Sequence, residues 1–194
     1  MSPPLKAQAR VPVQTSACLL NLALVSAISL TLTACNMPAL SDPASQKPYS
    51  ASKDAAAVQL LKAESFAICP DGSRESGINL ISDPQSWKIF VDNAHQRAPA
   101  LSQWNPDFTR SRVVLVKLGS RSSAGYGIKA IDAKLKTGHD ELVVTVQTSK
   151  PAPDSLSASV LTSPCLLANI ADAGFKVLSV YDVSEGKSLG QISR

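Results

Sequence analysis

The sequence predicts an α+β domain, mainly antiparallel β-sheet with one main amphipathic helix packed on it. Two apolar runs of strand length, "RVVLVKLG" from Arg112 and "LVVTVQT" from Leu142, are separated by turn-forming residues. Trp87, Phe90, Val91 and Ala94 fall at i, i+3, i+4 and i+7 between two prolines. Residues before about position 58 show neither pattern, so the 194-residue chain divides into segments 1–34, 35–57 and a folded domain over 58–194.

Segment 1–34 carries Lys6 and Arg10 and then no charge between Ala17 and Ala34. That order of basic flank and apolar run is the signature of a membrane-inserting leader. The run ends in "LTAC", Leu32 to Cys35, which resembles the bacterial lipobox. The resemblance implies cleavage before Cys35, lipidation of Cys35 with acyl chains such as palmitate, and a membrane anchor in the cell envelope. The alternative is a short transmembrane anchor that contains a cysteine. Asn36 directly after Cys35 points, by the same resemblance, to the outer membrane where the host has one.

Segment 35–57 spaces Pro38, Pro43 and Pro48 through small and polar residues, a tether with a reach on the order of 25 Å. The whole chain has 19 Lys+Arg and 15 Asp+Glu; loss of Lys6 and Arg10 leaves 17 against 15, a net of about +2. So small a charge argues against nucleic acid as the main partner.

Within the domain, an apolar segment runs from Val58 to Cys69, followed by the turn-rich "PDGSRESG" and a short apolar run, Ile78 to Ile81. Asp83 suits the helix N-cap and Pro84 the first helical position, where its missing N–H costs nothing. The helix must end before Pro99, and its apolar face should lie on a sheet. Val114, Val116 and Leu118 then alternate with Val113, Leu115 and Lys117 in a strand buried on both faces. After the loop Gly119–Tyr126, the apolar phase shifts near Ala130 and Ile131, as a β-bulge would produce. "KTGHDE" is a hairpin turn, and Leu142 opens the return strand. Further strands are expected at 157–161, 165–170 and 175–183, with a short final strand after "SEGKS".

Cys69 and Cys165 are the two cysteines of the domain, and an even pair in an oxidising compartment suggests a disulfide. Closing a ~100-residue loop contributes on the order of 4 kcal/mol in the chain-entropy model. The competing reading is two buried thiols.

Catalysis needs a nucleophile, a base and an orienting group. The only histidines are His95, near the edge of the helix's apolar face, and His139, in the hairpin turn. No CxxC or HxxxH spacing offers a metal site. The S-x-x-K strings at Ser50–Lys53 and Ser184–Lys187 fall in the tether and in a turn. The sequence therefore predicts no enzyme, no cofactor and no metal.

The polar-aromatic loop "GSRSSAGY", Gly119 to Tyr126, is the candidate recognition element. Tyrosine supplies contact area at modest entropic cost, and serines supply adaptable hydrogen bonds. Arg121, Ser122, Ser123, Gly125 and Tyr126 are the candidate partner-binding residues, with Trp104 as an outlying one. As pure structure, the same loop is a turn whose tyrosine packs into the core.

From about Ile81 to Ile170 the chain resembles the C-terminal domain family of the PrcB-type accessory subunit. The residues that carry the likeness are Trp87 after an acidic turn, Pro106–Asp107–Phe108 before a strand, "LGSRSSAGYGIKA", and "TSPCLLANI" from Thr162. Members often place a threonine and two glycines before the tyrosine; here Ser123, Ala124 and Gly125 stand instead. The resemblance implies accessory work, in which the domain assembles, stabilises or localises an envelope protein such as a secreted protease. "SSAGYGI" is also faintly similar to the glycine-aromatic loop of chagasin-like protease inhibitors, which makes inhibition through loop 119–126 the alternative function.

Overall fold

The computed structural model describes residues 55–136, 138–154 and 156–194. Cys35, the leader and most of the expected tether lie outside the described residues. Among the described residues nine strands form two sheets. One has five strands in the order β1-β5-β6-β8-β9, comprising β1 (Ala55–Ala57), β5 (Gly127–Lys136), β6 (Glu141–Ser149), β8 (Val177–Asp182) and β9 (Lys187–Ser193). The other is ordered β2-β7-β4-β3, from β2 (Leu60–Phe66), β7 (Cys165–Ala171), β4 (Ser111–Leu118) and β3 (Ser76–Ile81). Pairing is antiparallel throughout except between β6 and β8, which run parallel.

The buried side chains form two clusters. Val114, Val116, Leu166, Ala168 and Ile170 join Leu142, Val144, Leu178 and Val180 from the five-stranded sheet in the larger one. On the opposite face of β4 and β7, Val113, Leu115 and Leu167 pack against Trp87, Phe90 and Ala94 of helix α1 (Pro84–Ala94). Strands β4 and β7 are therefore covered on both sides, which is why "RVVLV" reads as a continuous apolar run rather than an alternation.

Helix α1 starts as its sequence dictates. The Asp83 carboxylate accepts hydrogen bonds from the Ser86 N–H and hydroxyl, both at 2.8 Å. Those bonds hold the Asp83 carboxyl below the usual carboxylate range. A short 3-10 helix, Pro99–Gln103, leads from it to Trp104. The expected phase shift in β5 is present: Ala130 pairs with Val146 and Asp132 with Thr145, so Ile131 is the extra residue of a bulge. In the hairpin turn before β6, Gly138 and Asp140 both take positive φ.

Three expectations need correction. The tether extends less far than position 57, because Ala55–Ala57 pair with Lys134–Lys136 at the sheet edge. The described part of 157–161 is no strand; it is an exposed irregular segment whose backbone bonds go partly to the 119–126 loop. The strand expected at 175–183 is Val177–Asp182, since Phe175 is a core residue ahead of β8 rather than within it, and the final strand starts earlier than expected, at Lys187.

Candidate functional site

Three connections gather at one end of the sandwich: residues 67–75 between β2 and β3, 119–126 between β4 and β5, and 150–164 between β6 and β7. The middle one is held from both sides. The Ser120 N–H donates to the Arg74 carbonyl at 2.9 Å. Arg121 exchanges two backbone hydrogen bonds with Thr162, at 2.8 and 2.9 Å. The Ala124 N–H donates to the Ala158 carbonyl at 3.0 Å, and the Thr162 hydroxyl donates to the Ser123 carbonyl at 3.1 Å.

Glycines make this fit possible at two points. Gly119 has φ +77°, and a Cβ there would come within 3.1 Å of the Ser76 backbone nitrogen. Gly125 has φ +93° and rests against Pro151, whose Cβ would lie 3.1 Å from a side chain at this position. Ala124 carries no positive φ, so the loop places its left-handed residues only where glycine stands. A loop tied down at this many points is a preformed surface rather than a loose turn.

The disulfide lies directly behind it. Cys69 and Cys165 are bonded, with Cα atoms 5.3 Å apart. Next to them the Cys69 N–H donates to the Ser163 carbonyl at 2.9 Å, and the Ser163 N–H to the Ala67 carbonyl at 3.1 Å. The bond thus joins the first connection to the segment that pairs with Arg121.

Of the residues singled out in the sequence, the structure brings Arg121, Ser122, Ser123, Gly125 and Tyr126 to one surface. Ser122 and Gly125 are exposed, and the other three are half-buried. The Arg121 guanidinium carbon lies 5.5 Å from the centre of the Tyr126 ring, within cation–π range. Its Nη1 donates to the Ser120 carbonyl at 3.1 Å. Trp104 does not join this surface: it is 5% exposed and stacks on Trp87 with ring centroids 6.2 Å apart. A residue so enclosed contributes packing, and its expected role in partner contact is corrected accordingly.

Beside the loop a cleft of about 310 Å³ is lined by Arg121, Tyr126, Lys150, Asp182, Glu185 and Lys187, among others. Asp182 is fully buried in its wall. Burial disfavours its charge, but hydrogen bonds from the Thr148 hydroxyl (2.6 Å), the Ser184 N–H (2.9 Å) and the Thr148 N–H (3.2 Å) outweigh that. They hold its carboxyl below the ordinary range. Glu185 sits 2.8 Å from Lys150 and 3.9 Å from Lys187. Its charged form is favoured mainly by the Lys150 ammonium. The long-range partners among these, Thr148 with Asp182 and Lys150 with Glu185, were not evident from sequence spacing, because they arrive from separate strands and turns.

His95 and His139 are both exposed, and neither faces a cysteine nucleophile, since both thiols of the domain are in the disulfide. Among the described residues no group of three or more histidine, cysteine or carboxylate side chains is arranged to hold a metal ion.

Residues 112–171 match the family model described as PrcB C-terminal. The matched segment, under half of the chain, runs from the second residue of β4 to the end of β7. It contains the 119–126 loop and the 150–164 connection that braces it. The PrcB C-terminal match leaves out β1 to β3, helix α1 and the last two strands, and takes in strands β4 to β7 with the loop near its start. No curated protein and no solved structure matches the chain.

Proposed function

We propose that this chain is an envelope lipoprotein, anchored through Cys35, whose folded domain is a non-catalytic module that binds a partner protein. The partner class suggested by the PrcB C-terminal match is a secreted protease complex, which the domain would help to assemble, stabilise or localise. One observation carries the reading: the family match contains an eight-residue polar-aromatic loop that the two neighbouring connections hold in place. A fixed loop loses little entropy on contact, and Tyr126 with Arg121 over its ring supplies the kind of residue pair that dominates interface energetics.

The lipid anchor would keep the domain at a membrane surface, and more than one acyl chain would make that attachment long-lived. The outer membrane is the proposed location where the host has one.

Photocrosslinking in native membranes, with a crosslinker at Ser122, tests the reading. Capture of one envelope protein that is lost in Tyr126→Ala, while circular dichroism is unchanged, is the expected result. An unchanged capture pattern in that variant would remove the loop from partner recognition. Assay of the purified chain against cysteine proteases separates accessory binding from inhibition.

A further inference from the structure

The two sheets meet along two seams, and among the described residues only one is closed by hydrogen bonds. At the closed seam the Val58 N–H donates to the Ala133 carbonyl at 2.8 Å, and the Ser65 hydroxyl donates to the Ile128 carbonyl at 2.5 Å. At the other seam the edge strands β3 and β9 lie side by side without pairing, each with a strand neighbour on one side only. They come together where Gly190 faces Ile78; a Cβ on Gly190 would lie 3.2 Å from the Ile78 Cδ1. Next to this point is a cleft of about 430 Å³ lined by Ser76, Gly77, Lys117, Lys187 and Ser188. It shares Leu118, Arg121, Lys187 and Leu189 with the cleft at Tyr126, so the two form one groove that starts at the candidate loop.

The chemistry of the groove is uneven. Lys117, Arg121, Lys150 and Lys187 line it against two carboxylates, Asp182 and Glu185, and Lys117 is paired with Asp71 at 3.5 Å, which leaves Arg121 and Lys187 as its available cations. Asp182 is buried and satisfied by Thr148 and Ser184, and Glu185 is shared between two lysines. Arg121 has no carboxylate partner among the described residues, and Lys187 has its nearest at 3.9 Å. Short of the Ile78–Gly190 contact, β3 is bare at Gly77, which has no positive φ and where a Cβ would meet nothing within 4 Å. A strand glycine that neither its dihedral nor a neighbour requires leaves room for an incoming backbone.

We propose that this groove takes an extended acidic segment of the partner protein, its backbone pairing with the open edge of β3 and its carboxylates meeting Arg121 and Lys187. Main-chain hydrogen bonds to an edge strand supply affinity in this mode, and side-chain charge supplies selectivity. The inference rests on the binding-module reading and specifies what the surface beside the loop recognises.

The test uses the full chain in detergent and three fluorescent peptides, read by anisotropy. One alternates valine with glutamate, the second replaces glutamate with lysine, and the third is the acidic peptide N-methylated at alternate residues. Saturable binding of the first alone, weakened about tenfold or more in Arg121→Glu/Lys187→Glu, is expected. Equal binding of the lysine peptide, equal binding of the N-methylated peptide, or no binding of any peptide overturns the proposal. Sedimentation that shows a dimer lost on Lys187→Glu also overturns it, by assigning the seam to a second copy. Peptide failure alongside successful capture from Ser122 sinks the groove and leaves the partner reading standing. Peptide binding without any captured envelope protein does the reverse.

Discussion

Arg121 and Thr162 form an isolated antiparallel bridge, and this pair fixes the 119–126 loop to the segment that leads into β7. Three residues after Thr162, Cys165 carries the disulfide to Cys69. Surface presentation and covalent bracing are thus separated by a few backbone atoms.

Loss of the disulfide should therefore affect both stability and the loop. The bond spans 96 positions in sequence and lies in the cluster beneath helix α1. Cys69→Ala/Cys165→Ala is expected to lower stability on the order of 4 kcal/mol in denaturant unfolding. Hydrogen exchange at the Arg121 and Thr162 amides should accelerate beyond the average for the domain.

Two glycines should respond in opposite directions. Gly119→Ala forces a side chain into a left-handed backbone against Ser76, and should cost about 1–2 kcal/mol. Gly77→Ala meets open space at an ordinary dihedral and should raise stability by about 0.4–1 kcal/mol through the unfolded chain. Urea midpoints of the two variants check both signs.

Trp104→Ala and Tyr126→Ala distinguish core from surface. Trp104 packs on Trp87, and the Lys62 ammonium lies 4.3 Å from the centre of its ring, so truncation should cost about 3–5 kcal/mol. Tyr126→Ala should leave the unfolding midpoint nearly unchanged while abolishing partner capture. Thermal melts beside the crosslinking assay give both results from one preparation.

The pH dependence should fall on the acid side. Asp182 has its folded pKa lowered below that of the unfolded chain, because hydrogen bonds to its carboxylate prevail over burial. Its contribution is therefore complete above the unfolded value of about 3.9 and is lost as pH falls through the folded one. Asp182→Asn should lower stability at neutral pH by about 1–3 kcal/mol and flatten the acid limb of the stability curve. An acid limb as steep as wild type would show that other carboxylates set it.

Much of the fold was legible in the residues. The Asp83-Pro84 start of α1, the bulge at Ile131 and the hairpin through Gly138 are each decided within a few positions, where dihedral preference and local hydrogen bonds dominate. Segment 157–161 was misread because its apolar residues suit a strand, yet no free sheet edge reaches them. Trp104 was misplaced for the opposite reason. An aromatic in a loop carries no period, and only the packing of Trp87 and Lys62 around it shows that it is enclosed.

By itself the sequence determined the α+β class, the main helix, and the candidate loop with its glycines, and it suggested the pairing of the domain's two cysteines. Each rests on short-range chemistry or on there being one available partner. The tertiary structure alone decided that Arg121 is clamped to Thr162, that Trp104 is core, and that β3 and β9 leave an open basic seam. Those relationships join residues from distant strands, and their energies exist only once two sheets have closed around a common core.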